Sequence, residues 1–165
     1  MRARTEPYID DAGDSVKCTH PVATAQVARQ ELHAFQSVTL SDTEFLNGKN
    51  AGSPVALSGL LRLPKLGTEK MPAMVLLHGS GGMGGVGSNI DEWSKYLNEI
   101  GIITFAVDSF SGRGIVETVS DQTRLGRLNM IVDAFRALEL LSKHRLVDSA
   151  RARHACPLSS GTIGG

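Results

Sequence analysis

From Pro72 to Leu77 the chain runs through six uncharged, mostly apolar residues, and it leaves them through six glycines in the ten residues His78 to Gly87. A short continuous apolar run is what a central strand looks like when a parallel sheet buries it on both faces. The C-terminal end of such a strand is where ligands bind in open α/β sheets. The rest of the chain must therefore supply flanking strands and covering helices, and chemistry is expected at the glycine turn.

Those elements can be read on both sides. Downstream, a helix spans roughly Ile90 to Glu99, with Asn89 or Ser88 as N-cap and Asp91 and Glu92 in its first turn. Its apolar face would be Ile90, Trp93, Leu97 and Ile100, and Gly101 closes it. Ile102 to Val107 is a second buried strand, followed by the loop Asp108 to Gly114. A long helix is predicted from about Asp121 to His144, with Leu125, Leu128, Ile131, Val132, Phe135, Leu138 and Leu141 on one buried face. Upstream, Phe35, Val38 and Leu40 mark a first strand, and Asp42 to Ser53, with Asn47-Gly48, a polar loop. Val55 to Leu63 alternates as a second strand ended by Pro64. The residues before Ala34 are polar and weakly patterned, with a single helix expected over Val22 to Leu32. The expected organisation is an N-terminal extension over 1–33, an α/β domain over 34–151 and a Ser/Gly-rich tail over 152–165. Alternating strands and helices imply crossovers and a mostly parallel sheet, with the first two strands as an antiparallel hairpin at its edge.

Composition narrows the function classes. At 165 residues the chain forms one domain. Lysine plus arginine equals aspartate plus glutamate at 17 each, so no basic field steers it to nucleic acid or an anionic membrane. No apolar run approaches the roughly 20 residues of a membrane span. Met1 to Val16 has no apolar signal region, so a cytoplasmic location is expected by default. Cys18 and Cys156 are too few and too far apart for a disulfide framework and are expected to be reduced.

The glycine loop admits two functional readings beside that of a plain turn. Gly79, Gly81 and Gly84 satisfy a dinucleotide-binding G-x-G-x-x-G, and Asp108 ends the next strand, where an acid could hold a ribose hydroxyl. In that fingerprint, however, the helix opens at the glycines, whereas Gly85 to Asn89 intervene here. The other reading is an oxyanion loop, because acyl transfer needs backbone N–H donors aimed at a developing alkoxide. Ser80 and Gly81 are the donors to expect. His78 fits a buried, loop-orienting hydrogen-bonding residue better than a general base.

Four segments together resemble the dienelactone hydrolase family of α/β-hydrolases. They are Leu57-Ser58-Gly59-Leu60-Leu61-Arg62-Leu63-Pro64, Val75-Leu76-Leu77-His78-Gly79-Ser80-Gly81-Gly82, Val107-Asp108-Ser109-Phe110-Ser111-Gly112-Arg113-Gly114 and Leu125-Gly126-Arg127-Leu128. The resemblance, which runs from Phe35 to Arg151, implies an α/β-hydrolase fold and hydrolysis of ester or lactone bonds through an acyl-enzyme. It also implies a nucleophile, an acid and a histidine in that chain order. By the same resemblance Ser80 and Gly81 form the oxyanion hole, with His78 and Gly79 supporting the loop; Asp108 is not where that family keeps its acid and is read as bracing the loop, with Arg113 as a second loop-supporting residue. The partner would be a small-molecule ester or lactone, with no metal or cofactor.

After its long helix that family has Asp-x-x-Arg, a strand, and a Gly-x-Ser/Cys-x-Gly elbow. Asp148-Ser149-Ala150-Arg151 matches the lead-in, but Ala152-Arg153-His154-Ala155 replaces the apolar strand. Cys156 stands where the first elbow glycine belongs, and Leu158 where the nucleophile belongs. Ser159, in Pro157-Leu158-Ser159-Ser160-Gly161, is the remaining candidate nucleophile. Its leading proline fixes φ near −65° and removes an N–H, a poor fit to an elbow. His144 and His154 come too early to take the family histidine's place. The expectation is an α/β-hydrolase-like sheet truncated before the elbow and catalytically incomplete alone. Met74 to Leu77 would then be an unpaired edge open to self-association. A non-catalytic interaction module using that edge is the alternative reading, and a dinucleotide-binding domain the third.

Overall fold

The computed structural model of the protein describes residues 27–48, 52–65, 69–85 and 89–155. Within them a single sheet has the spatial order β1-β2-β4-β3-β5. Its strands are β1 (Val27–Thr39), β2 (Ser53–Pro64), β3 (Met71–Leu77), β4 (Ile103–Asp108) and β5 (Val147–Ala155). A short helix, α1 (Asp42–Leu46), follows β1, while α2 (Ile90–Glu99) links β3 to β4 and α3 (Leu128–Ser142) links β4 to β5. β1 pairs antiparallel with β2 and β2 with β4, whereas β3 runs parallel to both β4 and β5. The sheet is therefore mixed, and parallel only across β4-β3-β5, rather than mostly parallel.

The chain steps from β3 out to β4, then back across β3 to β5, and its two long helices cover opposite faces. Phe105 and Val107 of β4 pack with Leu61, Val75, Ala134, Ala137 and Leu141 on the α3 side. Ala106, between them, packs with Leu76, Ile90 and Leu97 on the α2 side. That is the period-2 alternation of a strand buried on both faces.

Several elements depart from the expectation. Val27 to Leu32 is strand, not helix, because β1 pairs with β2 along its length, from Val27 opposite Pro64 to Thr39 opposite Ser53. The long helix begins at Leu128, not Asp121. A 3-10 turn at Gln122–Arg124 precedes it, and Leu125 is extended and buried with Phe110 and Ile115. The buried face of α3 is Asn129, Asp133, Ala134, Ala137 and Leu141, while Ile131 and Phe135 are exposed. On α2, Ser94 and Asn98 are buried beside Ile90 and Leu97, and Ile100 is exposed. Polar side chains can face inward wherever the fold gives them hydrogen-bond partners. Asn129 has them: its amide accepts the Leu40 N–H (2.7 Å) and donates to the Leu40 carbonyl (2.8 Å).

The edge expected to lie open at Met74 to Leu77 is closed. β5 pairs along it, with Ala73 opposite Ala152, Met74 opposite Arg153 and Leu76 opposite Ala155. Ladder pairing uses main-chain groups and needs no apolar strand; Ala152 packs on the core while Arg151 and Arg153 face solvent. β5 is one of the two outer strands among the described residues, and it carries Asp148, Arg151 and Arg153, charges of the kind that discourage edge pairing. Cys18, Cys156 and Ser159 lie outside the described residues. No described helix is long and apolar enough to cross a membrane.

Candidate functional site

β3 and β4 run parallel, so the loops that leave them, from His78 and from Asp108, emerge at the same end of the sheet. His78 ties the two together. It is 1% exposed; its Nδ1 lies 2.8 Å from the Gly79 carbonyl, and its Nε2 accepts the Ser109 N–H at 3.1 Å. Because a backbone N–H can only donate, Nε2 is the acceptor and the proton sits on Nδ1. The ring lies 4.3 Å, edge-on, from that of Phe110. Burial pushes its pKa below the ordinary histidine value, against the opposing pull of the Gly79 bond and of Asp108. A neutral imidazole with both nitrogens engaged holds loops in place and has no lone pair left for a nucleophile.

The glycine loop is held from two directions. The Gly82 N–H closes a turn onto the Gly79 carbonyl (3.1 Å), with Gly82 at φ +74°. A Cβ there would also meet the Val116 carbonyl oxygen at 2.8 Å, so both conformation and close approach call for glycine. From the other side, the Thr118 N–H donates to the Ser80 carbonyl (2.8 Å), and Gln122 Nε2 donates to Ser80 Oγ (3.0 Å). In a trans peptide the carbonyl and the following N–H point in opposite directions. Pinning the Ser80 carbonyl on Thr118 therefore turns the Gly81 N–H away from the 115–122 segment. Among the described residues the N–H groups of Ser80 and Gly81 meet no acceptor. Two adjacent main-chain donors are left at the carboxyl end of a central strand.

The loop after β4 is held by Asp108 and by Arg113 through two separate sets of contacts. Asp108 Oδ1 accepts the N–H groups of Phe110 and Ser111, each at 2.9 Å. Burial works to raise the Asp108 pKa, but these bonds from Ser111 and Phe110 outweigh it and hold the carboxylate below its ordinary value. Arg113 does not brace Asp108; its partner is Asp133 of α3, met by two guanidinium nitrogens at 2.7 and 2.9 Å. The two side chains are 5% and 0% exposed. Arg113 also donates to Thr39 Oγ1 (2.9 Å), the Val38 carbonyl (3.1 Å) and the Ser109 carbonyl (2.7 Å), and Ser37 Oγ donates to Asp133 (2.5 Å). This network bolts the end of β1, the β4 loop and α3 together beneath the site. Asp133 escaped the sequence reading; the signal was the pair Asn129 and Asp133, one turn apart in an otherwise apolar helix.

The described residues bring His78, Gly79, Ser80, Gly81 and Asp108 to one end of the sheet and Arg113 beneath it. They do not bring a nucleophile–base pair there. His144 precedes β5 and so lies at the opposite end of the parallel strands, where with His33 it faces Glu31. Ser159 is outside the described residues. The dinucleotide reading finds no support: α2 starts at Ile90, beyond the glycines, and Asp108 is turned into its own loop. Among the described residues no group of three or more His, Cys, Asp or Glu could hold a metal ion.

No protein-family model matches the sequence, and no curated protein matches it. Solved structures do. A dienelactone hydrolase-like promiscuous phosphotriesterase from metagenomic libraries superposes with a TM-score of 0.51 at 14% identity, over 76% of this chain and 48% of that one. A hyperthermophilic esterase from the archaeon Pyrobaculum calidifontis gives a TM-score of 0.47 at 19% identity, over 81% of this chain and 36% of that one. The chain thus spans no more than half the length of these structures. Its described part has an α/β-hydrolase-like fold, that of the first of these structures.

Proposed function

We propose that the glycine loop is the oxyanion loop of a hydrolase acting on ester or lactone bonds of small molecules. The observation that carries the reading is the pair of N–H groups at Ser80 and Gly81 that meet no acceptor among the described residues, on a loop fixed by His78 and Thr118. When a nucleophile adds to an ester carbonyl, the oxygen becomes an alkoxide. Donors already aimed at it need no reorganisation, and one such donor is worth on the order of 3 kcal/mol of barrier. The acyl-enzyme route further requires a nucleophile activated by a base. No such pair stands among the described residues, since His78 spends both nitrogens on loop structure. The reading is thus an oxyanion half-site that does not turn over esters with the described residues alone.

The test is p-nitrophenyl acetate hydrolysis by the purified chain, together with intact mass after exposure to an organophosphate. Background turnover and no adduct are expected. Serine-reagent-sensitive turnover that Ser159→Ala abolishes would overturn the claim of incompleteness while leaving the oxyanion loop standing.

A further inference from the structure

Among the described residues, four buried polar atoms on the α2 side of the sheet have no hydrogen-bond partner: Arg62 Nε on β2, Ser94 Oγ and Asn98 Oδ1 on α2, and Thr104 Oγ1 on β4. They belong to one face of the sheet and the helix that covers it. Arg62 and Thr104 are directly opposite in the β2–β4 register, and so share a face of the sheet. Ser94 and Asn98 are one turn apart on the helix that covers that face. Asn98 is fastened above these strands, its Nδ2 donating to the Arg62 carbonyl (3.2 Å) and the Ile102 carbonyl (2.7 Å). One turn earlier on the same helix, Asp91 accepts the Arg62 guanidinium at 2.5 Å. Ser94, Asn98 and Thr104 are each at most 1% exposed. The fifth unpartnered atom, Ser109 Oγ, belongs to the loop beyond the far end of β4 and is not part of this group.

The chemistry of the four atoms selects the occupant. Arg62 Nε–H only donates, Asn98 Oδ1 only accepts, and the two hydroxyls do both. A cation is opposed by Arg62. An anion would face Asn98 Oδ1 and the Asp91 carboxylate. An apolar molecule would leave all four atoms unsatisfied, which buried polar groups rarely are. A small neutral molecule that donates and accepts satisfies the set. We propose that an internal water molecule occupies this seam, bridging Arg62 and Thr104 of the sheet to Ser94 and Asn98 of α2. Three or four polar partners are what a buried water ordinarily has. The site would give α2, the helix that follows the glycine loop, a polar fastening to β2 and β4 beside the apolar one of Ile90 and Leu97.

The experiment uses the full chain labelled with ¹⁵N and ¹³C. Water-selective rotating-frame Overhauser spectra should show contact between a long-lived water and the Arg62 Nε–H, with the same sign as the rigid backbone. Thr104→Val keeps the shape and removes one partner. It should weaken that contact and lower the folding equilibrium constant on the order of tenfold, because the remaining groups lose their bridge. A dry seam predicts the opposite sign, since removing an unsatisfied hydroxyl leaves stability unchanged or raises it. No water contact at Arg62 in the wild-type chain, or a Thr104→Val chain as stable as wild type, overturns the proposal. If the valine chain does not fold, the wild-type spectrum alone decides.

Discussion

Replacing Asp133 by asparagine removes the charge that Arg113 faces while keeping the side chain's shape. In the wild-type chain Asp133 accepts two guanidinium bonds and one from Ser37, and both ionic side chains are almost wholly buried. Such a pair gains little over a well-packed apolar pair, but breaking it strands a charge. Arg113 would keep its bonds to the Val38 and Ser109 carbonyls and to Thr39, which soften the loss without neutralising it. Removing one partner of a buried pair costs about 3–5 kcal/mol. For a domain of this size that corresponds to a melting temperature lower by roughly 6–20 °C. It is also a large share of a typical 5–15 kcal/mol stability. The assay is urea denaturation followed by circular dichroism, with Asp133→Asn compared with a double variant, Asp133→Leu with Arg113→Met. The single variant should lose the full amount and the double variant less, because it buries no lone charge. A single variant within about 1 kcal/mol of wild type would refute the view that this network anchors the loop after β4.

Three further outcomes are expected. The depressed folded-state pKa of His78 means that the unfolded chain takes up its proton first as pH falls. Stability is fully present above the unfolded value near 6.5 and declines as pH drops from there toward the folded pKa. Urea midpoints between about pH 7.5 and 5 should show that slope. It should flatten in His78→Gln without vanishing, since His144 is shifted the same way by burial. Gly82→Ala should cost about 1–2 kcal/mol, from a left-handed φ and contact with the Val116 carbonyl, and calorimetry reads it. Asn129→Ala leaves the buried N–H and carbonyl of Leu40 without their partner, which should lower stability by about 1–3 kcal/mol in the same urea assay.

What could be read in the sequence follows from which forces leave a local mark. β3, β4 and α2 were legible because short apolar runs and flanking glycines punctuate them. The first half of β1 was not: Arg29 and Glu31 read as polar chain, and only pairing with Leu60 to Pro64 of β2 makes that stretch a strand. Periodicity carried α3 back through Leu125, which is buried in an extended loop instead. It also put Ile131 and Phe135 inside, because hydrophobicity says nothing of the partners that draw Asn129 and Asp133 inward. β5 was hidden for a similar reason, its alternation being of small and charged residues. At the site, His78 bonds to the Gly79 carbonyl and to the Ser109 N–H, and the second of these crosses to an element thirty-one positions away that no local pattern indicates. The Arg113 partner was not legible because Asp133 lies twenty positions away in another element.

In the proposed oxyanion loop, Ser80 and Gly81 present their N–H groups to a developing alkoxide. A crystal of the chain soaked in methylphosphonate, a tetrahedral anion with the geometry of the reacting carbon, tests it most directly. An oxygen should lie about 2.7–3.1 Å from both nitrogens, beyond the carboxyl end of β3, with His78 and Thr118 unmoved. Those two N–H groups bonded within the loop, with the anion elsewhere or absent, would contradict it.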